Sequence, residues 1–386
     1  MRILIDASQI PKLKSGVGMY AVHLIRSLAL FVPDHDYFVL VQSDENAFDD
    51  LPGRAIKRIK VPGRIYRLLP FRFVLEQAWI PYFVRRYRID LVHSLHYSFP
   101  LFATAASRVV TIHDLTFFIG PHWHLPIKRW YFGTFTRLAV SHADRLIAVS
   151  ESTANDLKDR MGVDPKKLTV VHLAPPEAPP EHSVVDTLLR HYGIGERYIL
   201  FVGTLEPRKN LFNLVRAFHR ICPEESDLQL VIAGRKGWGC KSLYNLVQEL
   251  DLQRRVVFTG YVDEAAKFKL IRRAKVFAYP SLYEGFGIPV LEALSLGIPT
   301  ITADRPALRE VAGEAVLFVD PESPEAISSA MLRLLRDERL RRELSLKGLQ
   351  RAKHFSWTCT AIKTGAVYRS LMGNGKQLNG RMRCAS

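Results

Sequence analysis

Twelve short apolar runs, rich in β-branched residues and separated by helix-length segments, restrict this chain more than any other feature. The first six are RILID (2–6), YFVLVQ (37–42), DLVHS (90–94), RVVTIH (108–113), RLIAVS (145–150) and LTVVHL (168–173). Near-continuous Val, Ile and Leu suit strands buried on both faces, and the long spacers suit parallel crossovers. APPEAPPEH (174–182) then interrupts the pattern, with four prolines in the seven residues from Ala174 to Pro180. Proline fixes φ and lacks an N–H, so this stretch reads as an interdomain linker. The pattern restarts with YILFVG (198–203), LQLVIAG (228–234), RVVFTG (255–260), KVFAYP (275–280), PTITA (299–303) and AVLFVD (315–320). The expectation is an α/β chain of two Rossmann-like, doubly wound parallel-sheet domains facing a central cleft, with ligands at the carboxyl ends of the strands. The expected boundaries are 1–173, a linker 174–190, a second domain 191–354, and a terminal helix and tail 355–386 open to packing back on the first domain.

Hydrophobic content of 48% and charged content of 24% exclude disorder as the main state of the 386 residues. No apolar run approaches the roughly 18 residues of a membrane span. Asp6 falls where a signal peptide needs apolar residues, so the N-terminus reads as a first strand and the protein as cytoplasmic. Cys222, Cys240, Cys359 and Cys384 have no metal-ligand spacing and suit a reducing compartment better than a disulfide framework.

The net charge of +16 calls for an anionic partner. Between Leu51 and Leu75 lie Arg54, Lys57, Arg58, Lys60, Arg64, Arg67 and Arg72 with no acid among them. YRLLPFRFVLEQAWIPYFVRRYR (66–88) continues the stretch and mixes cations with aromatic and aliphatic residues. That composition suits anionic lipid headgroups, with Arg54, Lys57, Arg58, Lys60, Arg64 and Arg67 facing a membrane. A solvated loop and helix face is the alternative. No nucleic-acid motif accompanies the charge, so no nucleic-acid partner is expected.

The chemistry concentrates in the second half. After YILFVG a loop carries Glu206, Arg208 and Lys209 and a helix starts near Asn210. Helix-start amides with two adjacent cations suit a diphosphate; exposed loop cations are the alternative. After KVFAYP comes SLYEGFGIPVLEALSLGIPT (281–300), with Glu284 in a glycine-flanked loop and Glu292 in the expected first turn of a helix opened by Pro289. Gly285 and Gly287 permit close backbone approach, and Glu284 can accept from two hydroxyls of a polyol. A ribose offers another pair to Glu292, for which dipole compensation is the alternative.

EGFGIPVLEA, with its two glutamates separated by seven residues, resembles the E-x7-E element of the retaining glycosyltransferases of family four, which have the GT-B fold. KSGVGMYAVHL (14–24), VVTIHDLTFF (109–118), VSESTANDL (149–157), GTLEPRKN (203–210) and FSWTCTAIKTGAVYRSL (355–371) extend the resemblance along nearly the whole chain. It implies that Arg208 and Lys209 neutralise a donor diphosphate and that Glu292 holds the ribose. Glu284 would bind the transferred sugar, amides from Phe286 to Ile288 would contact sugar and phosphate, and His113 would lie beside the reacting sugar. Gly16 and Gly18 would let the first domain close on the diphosphate. Thr204 departs from the arginine that many members carry at that point.

The implied function is transfer of a sugar, GDP-mannose being the donor most resembled, to a glycan or lipid-linked acceptor in cell-surface polysaccharide synthesis, at the inner face of the membrane. A sugar-nucleotide epimerase of related architecture and a non-catalytic basic membrane-binding module are the alternatives. Asp34 and Asp36 spell D-x-D, but in a loop before the second strand, so a solvated turn is expected and neither metal nor cofactor. His93 and His96 are weaker acceptor-side candidates, and Asp114 reads as a local cap.

Overall fold

The computed structural model describes residues 1–8, 10, 16–53, 55–63, 69–103, 105–179 and 185–372. The chain forms two compact units, one of residues 1–174 with the chain from Phe355 onward, the other of residues 175–354.

The first unit is built on β1 (Arg2–Asp6), β2 (Asp36–Gln42), β3 (Ile56–Val61), β4 (Leu91–Ser94), β5 (Ser107–Ile112), β6 (Arg145–Ala148) and β7 (Leu168–Val170), in the order β3-β2-β1-β4-β5-β6-β7. The second is built on β8 (Tyr198–Val202), β9 (Gln229–Ala233), β10 (Val256–Gly260), β11 (Val276–Tyr279), β12 (Thr300–Ala303) and β13 (Leu317–Val319), in the order β10-β9-β8-β11-β12-β13. Pairing is parallel in both. Ile3 lies between Tyr37 and Leu91, and Ile199 between Leu230 and Val276. Ile3, Leu4, Ile5, Ile199, Leu200 and Phe201 are fully buried, as strands covered on both faces require. In each sheet the winding direction reverses beside the first strand, between β1 and β4 and between β8 and β11, and the chains leaving those strand ends diverge to open a crevice.

β3 departs from the expectation. Its sequence, IKRIKV, lies in the stretch read as basic surface, yet Ile56, Ile59 and Val61 are buried while Lys57, Arg58 and Lys60 are exposed. Its edge position explains the cations, because charged edge residues discourage pairing with another chain. Arg58 pairs with Asp49 and donates to Phe48 O at 3.1 Å, and the Lys57 ammonium lies 5.1 Å from the centre of the Phe38 ring. Arg54, Arg64 and Arg67 lie outside the described residues.

Residues Val185–Tyr192, inside the stretch read as linker, form a helix of the second unit, with Leu189 in its core. The Trp357–Arg369 helix belongs to the first unit, where Trp357 stacks on His23 of the Val17–Phe31 helix with ring centres 5.0 Å apart. Cys222 and Cys240 carry free thiols, and Cys384 lies outside the described residues. Cys359 is disulfide-bonded, which runs against the expectation that the cysteines suit a reducing compartment better than a disulfide framework. Spacing along the chain does not report which thiols meet in space. No helix among the described residues is long and apolar enough to cross a membrane.

Candidate active site

The loop 203–210 after β8 and the loop 280–287 after β11 leave neighbouring strands at the reversal point of the second sheet. They are laced together: the Leu282 amide donates to Arg208 O at 2.8 Å, Arg208 NH1 to Tyr283 O at 3.1 Å, and Asn210 Nδ2 to Pro280 O at 3.1 Å. A short turn, Pro207–Lys209, precedes the Leu211–Ile221 helix and carries both cations.

Glu284 sits between those cations and is only 8% exposed. Its Oε1 accepts from Lys209 Nζ at 2.5 Å and from the Tyr279 hydroxyl at 3.0 Å, and its Oε2 accepts from Arg208 NH1 at 2.9 Å. Arg208 Nε lies 2.5 Å from Glu206 Oε1, and Lys209 Nζ also donates to the Tyr279 hydroxyl at 2.6 Å. The two cations and two carboxylates therefore cancel. Burial alone would raise the Glu284 pKa, but Arg208 and Lys209 outweigh it and hold the carboxyl at about 2. Burial and Arg208 lower Lys209, against the pull of Glu284 and Glu206. Burial and then Glu284 push the Tyr279 phenol well up. An ion pair this deep repays its desolvation only when the geometry satisfies both partners, and the lacing of the two loops supplies that geometry.

Gly287 turns the loop into the Ile288–Ser295 helix with φ +105, and a Cβ there would meet Leu308 Cδ2 at 2.6 Å, so glycine is required. Gly285, Phe286 and Ile288 thus lead directly into a helix N-terminus, whose first amides lack intrahelical acceptors. Glu292 is the fifth residue of this helix, not part of its first turn, because the helix begins at Ile288. Dipole compensation therefore does not account for it. It is buried, and its Oε1 accepts from Lys267 Nζ of the Glu264–Arg273 helix at 2.5 Å. Sequence reasoning gave no role to Tyr279, Glu206 or Lys267; only the chemistry flanking Arg208 pointed toward Glu206. Beside Glu206 lies a small apolar groove, walled by Leu205, Phe212, Trp238 and Leu243.

The remaining candidates lie in the first unit. His113 directly follows β5 and is buried, its Nε2–H donating to Leu95 O at 2.9 Å and its ring meeting Tyr20 edge-on at 4.8 Å. Burial lowers its pKa, so the ring is neutral with Nδ1 as the acceptor. Gly16, with φ +50, stands at the N-terminus of the Val17–Phe31 helix, and Gly18 is buried in its first turn. His93 is a satisfied core histidine: Nδ1 bonds the Tyr368 hydroxyl at 2.7 Å and Nε2 bonds Thr111 Oγ1 at 2.9 Å. Thr111 Oγ1 is in turn 3.0 Å from the Tyr20 hydroxyl. Asp114 accepts from Tyr97 OH, Thr116 N and Thr116 Oγ1, which orients the backbone just before the short Thr116–Ile119 helix. Asp34 and Asp36 are exposed at the start of β2.

Comparison with known proteins places this geometry in a family. The model "Glycosyltransferase Family 4" matches residues 14–174 and the model "Glycosyl transferases group 1" matches residues 190–351. O-antigen chain mannosyltransferase B of Escherichia coli is 28% identical over 96% of this chain and all of its own length. The MMP alpha-(1->4)-mannosyltransferase of Mycolicibacterium hassiacum is 30% identical over 70% of this chain and 65% of its own. Among solved structures, Anabaena HepE in complex with UDP and glucose superposes with a TM-score of 0.75 at 17% identity, covering 95% of this chain and 99% of its own. WaaG, a glycosyltransferase involved in lipopolysaccharide biosynthesis, superposes with a TM-score of 0.74 at 15% identity, over 96% of this chain and all of its own. Two family models that between them take in both compact units, with one fold shared along nearly the full length, show that the chain belongs to the GT-B glycosyltransferases, its first unit of family four and its second of group 1.

Proposed function

We propose that this glycosyltransferase is a retaining mannosyltransferase that takes mannose from GDP-mannose and adds it to a glycan, or to a lipid-linked glycan intermediate, in polysaccharide synthesis. The relatives named as O-antigen mannosyltransferases support the sugar and the setting. The observation that carries the donor site is the Arg208–Lys209–Glu284 cluster at the reversal point of the second sheet. Loss of a nucleoside diphosphate develops negative charge, and cations fixed beside helix amides stabilise it without reorganisation. Glu284 holds those cations in place and is the acceptor for sugar hydroxyls, while Glu292 serves the ribose. In the first unit, His113 offers Nδ1 to a hydroxyl. The cations are the electrostatic partner of the diphosphate in this reading, so transfer needs no divalent metal.

Attachment to an anionic membrane belongs to the same proposal, but the structure shifts its emphasis from the cations of β3 to aromatic residues. Phe71 and Phe73 of the Leu69–Val74 helix are exposed, as are Ile127 and Trp130 in the first turns of the Pro126–His142 helix. The Phe73 ring meets Phe135 at 6.2 Å, which joins the two helices. Replacing Ile127 and Trp130 by Ser is expected to abolish sedimentation with phosphatidylglycerol vesicles, and unchanged sedimentation sinks this part.

Thermal shift with a nucleotide-sugar panel tests the donor. GDP-mannose at 100 times its Kd should stabilise the chain by about 2.7 kcal/mol, and retention of the anomer in the product is read by NMR. A larger shift with a UDP-sugar, or activity lost to EDTA and restored by Mg²⁺, overturns the corresponding part.

A further inference from the structure

The first sheet has a reversal point of its own, between β1 and β4, and a polar cluster lies there that the donor chemistry does not use. Glu76 is fully buried in a π-helical turn, Leu75–Trp79, a widened turn often found at functional sites. That turn is seated on the chain leaving β4: Ser98 Oγ donates to Glu76 Oε1 at 2.7 Å, and Gln77 Nε2 donates to Phe99 O at 3.0 Å. Arg72 is the counter-charge, its Nε donating to Glu76 Oε1 at 2.9 Å and its NH2 to Ser98 Oγ at 2.7 Å. Burial raises the Glu76 pKa, Arg72 lowers it, and Asp6 at the end of β1 raises it again.

Tyr131 reaches the same place from the Pro126–His142 helix. It is 7% exposed, and its hydroxyl has no hydrogen-bond partner among the described residues. Its ring lies 5.2 Å from that of Phe132, which Arg72 overlies at 5.8 Å, so the phenol sits beside the pair; burial and the Glu76 carboxylate raise its pKa. His96 Nδ1 is also buried without a partner among the described residues, and its ring lies 5.2 Å from that of Phe132. A buried unpartnered hydroxyl costs about 1–3 kcal/mol. The neighbouring His93, by contrast, is bonded at both nitrogens.

We propose that Arg72, Glu76, Ser98 and Tyr131, with His96 toward His113, form a subsite for the hydroxyl-bearing end of the acceptor saccharide; the assignment rests on the glycosyltransferase reading above. The ligand chemistry follows from charge. The one guanidinium is already bonded to the Glu76 carboxylate and to Ser98, and this neutralised pair disfavours phosphate or carboxylate and suits neutral hydroxyl donors. The Phe132 ring, under Arg72 at 5.8 Å, and the Tyr97 ring, 6.0 Å from Phe132, supply the apolar wall that sugar sites combine with a few polar groups.

The test uses the full chain and methyl α-D-mannopyranoside as probe, followed by saturation-transfer NMR with and without excess GDP. Expected is binding to the wild type that GDP does not displace. Tyr131→Phe and Glu76→Gln should each weaken it about tenfold, the loss of one hydrogen bond, with GDP affinity unchanged. Tyr131→Phe should melt at or above the wild-type temperature, since its hydroxyl has no partner to lose among the described residues and its removal relieves a burial cost. Displacement by GDP, no binding to the wild type, binding unaltered in both variants, or a lowered melting temperature for Tyr131→Phe would each overturn the subsite. Failure of GDP to bind would overturn the donor reading instead, and the mannoside measurements would still decide this one.

Discussion

At the reversal point of the second sheet, Arg208, Lys209, Glu206 and Glu284 form a continuous set of ion pairs. At the reversal point of the first, Tyr368, His93, Thr111 and Tyr20 form a chain of neutral hydrogen bonds, and the Arg72–Glu76 pair stands to one side of it. The two sheets share one winding order, so topology supplies the crevice in each and side chains alone decide what it can bind. In the proposed reading, fixed opposite charges prepare the second crevice for a developing anion. Neutral donors and acceptors in the first underlie the proposal that it takes uncharged hydroxyls.

Acid should separate the two units most sharply. Burial and then His113 lower His93 to about 3, so its neutral form stabilises the fold fully above pH 6.5 and loses that contribution as pH falls toward 3. At about 1.4 kcal/mol per pH unit the interval amounts to on the order of 5 kcal/mol. Glu284, held at about 2, contributes fully above its ordinary value of 4.5 and loses that contribution only as pH falls from 4.5 toward 2. Hydrogen exchange at pH 4.5 should therefore show residues 91–113 opening while 276–294 remain protected. Simultaneous opening would erase the contrast.

Glu284→Gln follows in size. It leaves Lys209 buried without its carboxylate, and removing one partner of a buried pair costs about 3–5 kcal/mol. Melting temperature and GDP affinity should both fall, because Glu284 positions the cations assigned to the diphosphate. Normal stability with an isolated loss of sugar binding would show that the ion pairs are incidental.

Glu292→Gln should be milder. Loss of a charge-assisted hydrogen bond costs about 1.5–3 kcal/mol, read as one to two decades in affinity for both GDP-mannose and GDP in calorimetric titration. A lower melting temperature with normal affinity would reduce Glu292 to a structural partner of Lys267.

Tyr368→Phe is expected to be smallest, about 1 kcal/mol of stability for one hydrogen bond and no change in GDP affinity. An effect on GDP binding would break the division of labour between the two crevices.

All twelve apolar runs mark strands, because a strand covered on both faces must be apolar along its whole length, and that property is written locally. β3 escaped because an edge strand needs only one buried face, and its Lys57-Arg58 pair interrupts even the alternation. In the site, the loops carrying Arg208, Lys209 and Glu284 were legible from glycine, proline and charge beside strand ends. Their pairing was not: 75 residues separate Lys209 from Glu284, and only the adjacency of β8 and β11 brings them to 2.5 Å. The same holds for Tyr131 beside Glu76 and for Tyr368 on His93. Burial pattern and turn chemistry are local in the chain and so belong to the sequence by itself. Which charge meets which, and which hydroxyl is left without a partner, depends on strand order and helix packing, and those exist only once the sheets have formed.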